Sequence, residues 1–331
     1  MSNRPVEVGM FFPSFVWPDT QQMEPTDQVD ACLELCERDG YGVWVVDHLL
    51  VAPGLYGATW LDPMAFMAYA AAKTKTVPLG TAILVAPLRE PVLLAKEIGS
   101  IQLLSGGRFE LGVGPGWHAN EFASVGGHIS QRGRRTDEVL EALELLLERP
   151  GVSYEGRYYK FEDVTVVPQT GMPKVWVAGG SRIPDPNERD IPDIATTVKD
   201  RVVKAGNWLS RASGKQEWVK RDWLKIVAHA ESKGVDPAGL TFGHCNWFHL
   251  VDTDDHDKAI EQQAAHFQRV MGTHRSLDHL QECYLMGTTE EVIERLRDLV
   301  EAGCTYLCIG PTEADPTQIE RFTAEVLPHL S

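Results

Sequence analysis

The sequence has no cysteine pair at C-x-x-C spacing and no cysteine–histidine cluster of zinc type, although six cysteines stand at positions 32, 36, 245, 283, 304 and 308 of its 331 residues. That excludes a thioredoxin-like redox motif and a zinc-finger module. Cys32 and Cys36 lie four apart and share one face of a helical pattern. All six read as small buried hydrophobes in a reducing compartment. No apolar run reaches bilayer-spanning length, and the opening MSNRPVEVGMFFPSF is too short and too mixed for a signal peptide. A cytoplasmic protein that does not engage membranes is therefore expected. Basic residues are scarce, 31 Lys+Arg against 47 Asp+Glu, for a formal net charge of −16. So acidic a surface repels nucleic acid and anionic lipid, which excludes both as partners but leaves a buried pocket able to carry the opposite sign. There is no H-E-x-x-H, no carboxylate cage for a divalent cation, no G-x-S-x-G elbow and no lysine at a strand end for a Schiff base. No metal site is expected. A chain without a strong nucleophile of its own points to chemistry borrowed from an organic cofactor.

What the sequence does have is rhythm. Short apolar runs at 6–12, 41–47, 78–84, 108–114, 174–179, 206–210, 240–251 and 305–310 alternate with amphipathic stretches at 26–39, 62–75, 91–104, 133–149, 193–205, 216–233, 255–271, 288–302 and 316–330. Thr26 is placed to cap the first helix and Gly40 to end it. Residues 152–168 break the rhythm as a hairpin turning at Glu155-Gly156. Strands that alternate with helices imply a parallel sheet, because only a crossover helix returns the chain in the same direction. Eight such units without a break in composition predict an α/β fold, a (β/α)8 TIM barrel forming one domain over residues 1–331. Insertions are expected after strands 4, 5 and 7, notably 182–197 and 274–286. An open doubly wound sheet with a second domain is the alternative.

In such a barrel the site lies at the C-terminal ends of the strands. Those ends carry Pro13, Ser14 and Phe15; Asp47-His48; Ala82-Ile83; GPGWHANEF at 114–122; Gly179-Gly180-Ser181; Trp208; His244, Asn246 and Trp247; and Gly310. The pair Asp47-His48 reads either as a turn cap beside a packed histidine or as an imidazole able to move a proton. Gly179-Gly180-Ser181 offers bare amides and a hydroxyl that suit a phosphate. The glycines of GRFELGVGPGWHANEF do not make a Rossmann fingerprint. They sit on the fourth strand at G-x-G-x-G spacing, with Pro115 inside the loop and no acid at the required distance. They fit better a backbone ledge that lets a flat ligand approach.

Six segments in order carry a family resemblance: WVVDHL (44–49), LGTAILVAPLREP (79–91), GGRFELGVGPGWHANEF (106–122), GRYYKFEDVTVVP (156–168), VWVAGGS (175–181) and GTTEEVIERLRDLVEAG (287–303). Together they resemble the bacterial luciferase-like superfamily of flavin-dependent monooxygenases and deazaflavin (coenzyme F420)-dependent oxidoreductases. The resemblance implies a (β/α)8 barrel with His48 as the catalytic residue. Cofactor contacts would come from Asp47, from a cis peptide at Ala82-Ile83, from Gly114, Gly116 and Asn120, and from a phosphate turn at Gly179, Gly180 and Ser181. Phe12, Trp117, Trp208 and Trp247 are expected to wall a substrate pocket. In the deazaflavin-dependent sugar phosphate dehydrogenases an acidic Glu stands where this chain has Trp117, which argues against that reaction. The favoured expectation is a monooxygenase using reduced FMN, supplied in trans by a flavin reductase, and O2 to oxygenate a small, largely apolar substrate. Hydride transfer with coenzyme F420 is the alternative, and a non-catalytic flavin-binding subunit a third reading. A homodimer through barrel helices is expected on the resemblance alone.

Overall fold

The computed structural model describes residues 6–52, 56–181 and 193–330. Eight parallel strands close into a barrel: β1 (Glu7–Phe11), β2 (Gly42–Val45), β3 (Leu79–Thr81), β4 (Phe109–Gly114), β5 (Val175–Ala178), β6 (Asn207–Ser210), β7 (Thr241–Phe248) and β8 (Cys304–Pro311). Neighbours in sequence are neighbours in space. The ring shuts where Val8 pairs Leu307 and where Val175 pairs Leu111. A short strand, Leu84–Val85, also pairs with β4, so the third strand is interrupted after Thr81, and the Ala82-Ile83 peptide in the gap is cis.

Strand alternation sorts the side chains. Val8, Met10, Val43, Val45, Leu307 and Ile309 point outward into the layer shared with the helices, and Phe11, Trp44, Trp176, Tyr306 and Cys308 point into the barrel. The lower interior is filled by large residues set against glycines. A Cβ on Gly9 would lie 2.5 Å from the Trp44 ring, and one on Gly80 2.4 Å from it. Trp44 donates to the Tyr306 hydroxyl at 2.7 Å and meets Trp176 edge-on at 5.6 Å. These large side chains plug the bottom of the barrel.

The helices are α1 (Thr26–Asp39), α2 (Pro63–Lys73), α3 (Pro91–Ser105), α4 (Ala119–Ser124), α5 (Arg132–Glu148), α6 (Thr196–Ala205), α7 (Gln216–Ser232), α8 (His256–Met271), α9 (Leu277–Cys283), α10 (Thr289–Glu301) and α11 (Pro316–Arg321). In α1, Val29, Cys32, Leu33 and Cys36 form the buried stripe and Gly40 ends the helix at φ 77°. Thr26 provides no cap: Pro25 precedes the helix and no side-chain capping bond forms. Thr288 and Glu291 close a reciprocal capping box on α10. The expected helix over 316–330 instead breaks, after α11, into a π turn and a 3-10 turn.

The expected insertion after β4 is present as α4, and that expected over 274–286, after β7, holds α9. Most of the expected insertion after β5, residues 182–192, lies outside the described residues. The chain also has an unforeseen rim element. Phe15–Trp17 pairs antiparallel with Gln22–Met23 and with Thr59–Trp60, a small sheet over the β1–β2 side of the mouth. All six cysteines are buried and unbridged. No helix among the described residues is long and apolar enough to cross a membrane.

Candidate active site

His48 follows β2 and is nearly buried. Its Nδ1 lies 3.1 Å from Oε1 of Glu121 on α4, a carboxylate only 1% exposed. The same oxygen accepts the backbone N–H of Leu49 at 2.9 Å and of Leu50 at 3.3 Å. Burial alone would raise Glu121. The hydrogen bond and charge of His48, the Leu50 amide and nearby His118 outweigh it and hold the carboxyl below its usual range. An ionised carboxylate only accepts, so Nδ1 of His48 carries the proton toward Glu121 and Nε2 is left to take or give one. Tyr56, Trp60 and Trp117 surround the imidazole at ring distances of 5.2, 5.0 and 5.7 Å.

Asp47 points elsewhere. Its Oδ2 accepts the Val85 amide at 2.9 Å and its Oδ1 the Arg89 guanidinium at 3.0 Å, and Arg89 also bridges to Asp62. Burial is the largest influence on this carboxyl and raises it, with Arg89 opposing. Asp47, expected as a cofactor contact, ties the end of β2 to the segment after the cis peptide. The Ile83 side chain lies over Gly114, where a Cβ would come within 2.8 Å of it. Gly116 adopts φ +69° and packs so closely on Val85 that a Cβ would fall 2.5 Å from its methyl. Ile83, Gly114 and Ala178 thus form an apolar ledge at the rim. Asn120 is exposed on α4.

Beyond β5, Gly179, Gly180 and Ser181 turn inward. The Ser181 amide donates to Asp222 Oδ2 at 2.6 Å, and Ser181 itself is fully buried. Among the described residues nothing hydrogen-bonds Ser181 Oγ or Arg211 Nη2, both buried. Burial lowers the Arg211 pKa, while the Asp222 charge opposes that. Arg221 reaches within 3.7 Å of Asp222. Among the described residues, Arg211 and Arg221 both stand near Asp222, and the unmet Ser181 Oγ and Arg211 Nη2 suit an anionic group.

The four expected pocket residues divide. Trp247 faces inward, stacked on Phe11 at 4.2 Å and beside Phe15 at 5.3 Å. Trp117, 47% exposed, stands at the edge of the His48 box. Phe12 and Trp208 do not line the mouth, because strand alternation turns them outward. Phe12 packs on Phe66 of α2, and Trp208 stacks with Trp223 and Phe242. Trp208 acts from behind, donating its indole N–H to the Gly179 carbonyl at 2.8 Å.

Several residues of the site carry no motif. Glu121 sits one position beyond the ledge residues and reads as an ordinary acid in a first helical turn. Its signal is that it adjoins the fully buried Phe122. Tyr56 and Trp60 come from the unforeseen rim sheet and its approach. The segment after β7 brings Arg275 to the Tyr284 hydroxyl at 3.1 Å. On the β6–β7 side His244 is bracketed by Ser210 Oγ at 2.7 Å and Asn246 Nδ2 at 3.1 Å.

Known proteins bear on this arrangement. Residues 6–184 match the family model described as luciferase-like monooxygenase. The chain belongs to that family. It is 25% identical over 339 residues to the F420-dependent glucose-6-phosphate dehydrogenase of Amycolatopsis mediterranei, covering 94% of this chain and 96% of that protein. It is 29% identical over 213 residues to the FMNH(2)-dependent dimethylsulfone monooxygenase of Pseudomonas fluorescens, covering 63% and 54%. The crystal structure of monooxygenase RslO1 from Streptomyces bottropensis superposes with a TM-score of 0.78 at 22% identity, over 98% of this chain and 100% of that one. The family's named relatives are oxidoreductases that use either F420 or reduced FMN.

Proposed function

We propose that the protein is a reduced-FMN-dependent monooxygenase that oxygenates a small, largely apolar organic substrate. The observation that carries this reading is the His48 box: an imidazole fixed by a buried carboxylate and enclosed by Tyr56, Trp60 and Trp117, with no acid at position 117. Reduced FMN would supply the two electrons that divide O2 between an inserted oxygen atom and water. Ala82, Ile83, Gly114 and Gly116 offer the ledge for a flat ring, and Gly179, Gly180, Ser181 and Arg211 the corner for its phosphate. His48 handles a proton through Nε2, and the aromatic walls keep water from the reacting atoms. A separate flavin reductase, a homodimer and a cytoplasmic setting belong to the same proposal.

A second reading, hydride transfer with coenzyme F420, is favoured by the full-length similarity to the Amycolatopsis mediterranei enzyme. Fluorescence quenching with FMN and with F420 ranks the two cofactors. Mixing the reduced-FMN-loaded protein with 18O2 and a panel of apolar substrates then tests the chemistry. Tighter binding of FMN and 18O in a product support the monooxygenase. Preference for F420, or flavin reoxidation with no labelled product, overturns it.

A further inference from the structure

Away from the His48 box, three side chains from three segments converge. His249 follows β7, Glu313 follows β8, and His266 lies on α8. One ligand-capable atom from each falls within 4.8 Å of the others. Glu313 Oε1 is 3.0 Å from His266 Nδ1 and 3.5 Å from His249 Nδ1. The imidazoles stack with centroids 3.7 Å apart and planes 18° apart, so one ring, that of the partly exposed His266, turns to bring both nitrogens onto one ion. An ion pair needs one of these histidines. The second lies at the limit of hydrogen bonding to the same oxygen, and its Nδ1 shares the Thr312 hydroxyl at 3.3 Å, a bond that an arriving ion would replace. A tetrahedral cation with bonds of about 2.0–2.1 Å separates its ligands by about 3.3 Å, close to both measured spacings. His249 is buried, while His266 and Glu313 are partly exposed, so an ion could enter from solvent.

We infer that His249, His266 and Glu313 form a binding site for a divalent transition-metal cation, Zn2+ foremost. Two imidazoles and one carboxylate are the donor set of such ions, whereas Ca2+ and Mg2+ take oxygen. The sequence gives no warning, because the ligands stand 17 and 47 residues apart and match no spacing motif. The role is structural. The cation pins α8 to the exits of β7 and β8. One turn further along α8, the Val270 carbonyl accepts the Gly57 amide at 3.0 Å, and Gly57 adjoins Tyr56 of the His48 box. The inference is independent of which cofactor the barrel mouth takes.

Chelator-stripped protein is titrated with Co2+, whose visible bands report a low-coordinate nitrogen and oxygen site, and Zn2+ is then added to displace it. Expected are one equivalent of Co2+ with those bands, displacement by Zn2+, and a higher melting temperature with Zn2+. Removal of a ligand in His266→Ala or Glu313→Gln weakens Co2+ binding about 100-fold or more, since even outer partners of metal ligands matter 10- to 100-fold. Both positions are partly exposed, and circular dichroism checks that each variant is folded. No uptake, uptake without the bands, or unchanged affinity in either folded variant overturns the site.

Discussion

Two histidines of the barrel differ because their surroundings drive them apart: His48 follows β2 at the rim, whereas His244, in register with Leu307 inside β7, points outward to the helix layer. His48, on the β2–β4 side, gives its Nδ1 proton to a buried carboxylate. His244, on the β6–β7 side, hydrogen-bonds to neutral side chains, those of Ser210 and Asn246. Asn246 Oδ1 accepts the Trp247 amide at 2.7 Å and its Nδ2 donates to the Cys283 carbonyl, which fixes the amide so that Nδ2 also faces His244 Nε2. That nitrogen must accept, so His244 is neutral with its proton on Nδ1 toward Ser210. Burial, with Arg295 adding to it, pushes its pKa down to about 3. One imidazole is tied to a buried carboxylate. The other is locked as an uncharged strut. A histidine of the barrel acquires its role from what stands beside it, and neither neighbour is adjacent in sequence.

The largest effect that tests this contrast is at the site itself. His48→Ala is expected to lower turnover by about 10²- to 10⁴-fold, the usual contribution of a positioned acid or base, with cofactor affinity little changed. Glu121→Gln keeps the shape and removes the counter-charge. It should lower kcat by about tenfold while leaving KM near its value, because Glu121 acts through His48. Steady-state kinetics with cofactor titration checks both. Equal kinetics for His48→Ala and the parent protein would remove His48 from the chemistry, and a drop for His244→Gln as deep as that for His48→Ala would erase the contrast.

Much of the architecture was legible because it rests on short-range pattern. Alternating runs and helix stops such as Gly40 are local, and eight strand–helix units leave few ways to close a sheet. The cis peptide and the glycine ledge lie within contiguous motifs. What stayed hidden depends on direction and distance. Phe12 follows β1 and Trp208 lies within β6, and a period of two decides which face each takes, so a one-residue offset in the assumed strand reverses it. Asp47 beside His48 invited pairing, but in an extended chain adjacent side chains point to opposite sides, so Asp47 turned to Arg89 and His48 to Glu121. The counter-charge came from 73 residues away, across two strands.

A smaller effect separates the histidines by acid. An unfolded His244 titrates near 6.5 and the folded one near 3, so between those values the unfolded chain holds a proton that the folded chain refuses. Stability from this site is therefore complete above about pH 6.5 and is lost as pH falls toward 3. Between pH 7 and pH 5 the loss is roughly 2 kcal/mol. Urea midpoints at the two pH values for the parent and for His244→Gln measure it. The variant should lose less on acidification by about that amount, and parallel losses would show that His244 is not held neutral.

The smallest expected change in stability comes at Trp117, and it probes the wall rather than the proton. This ring is half exposed and meets His48 and Tyr56 edge-on, so Trp117→Leu should alter stability by less than about 1 kcal/mol. Its effect falls on water exclusion. With the edge of the box opened, a larger share of the O2 consumed should end as hydrogen peroxide instead of oxygenated product, while cofactor affinity holds. Peroxide yield per O2 consumed, compared between Trp117→Leu and the parent, is the measurement. An unchanged yield would mean that Tyr56 and Trp60 close the box unaided.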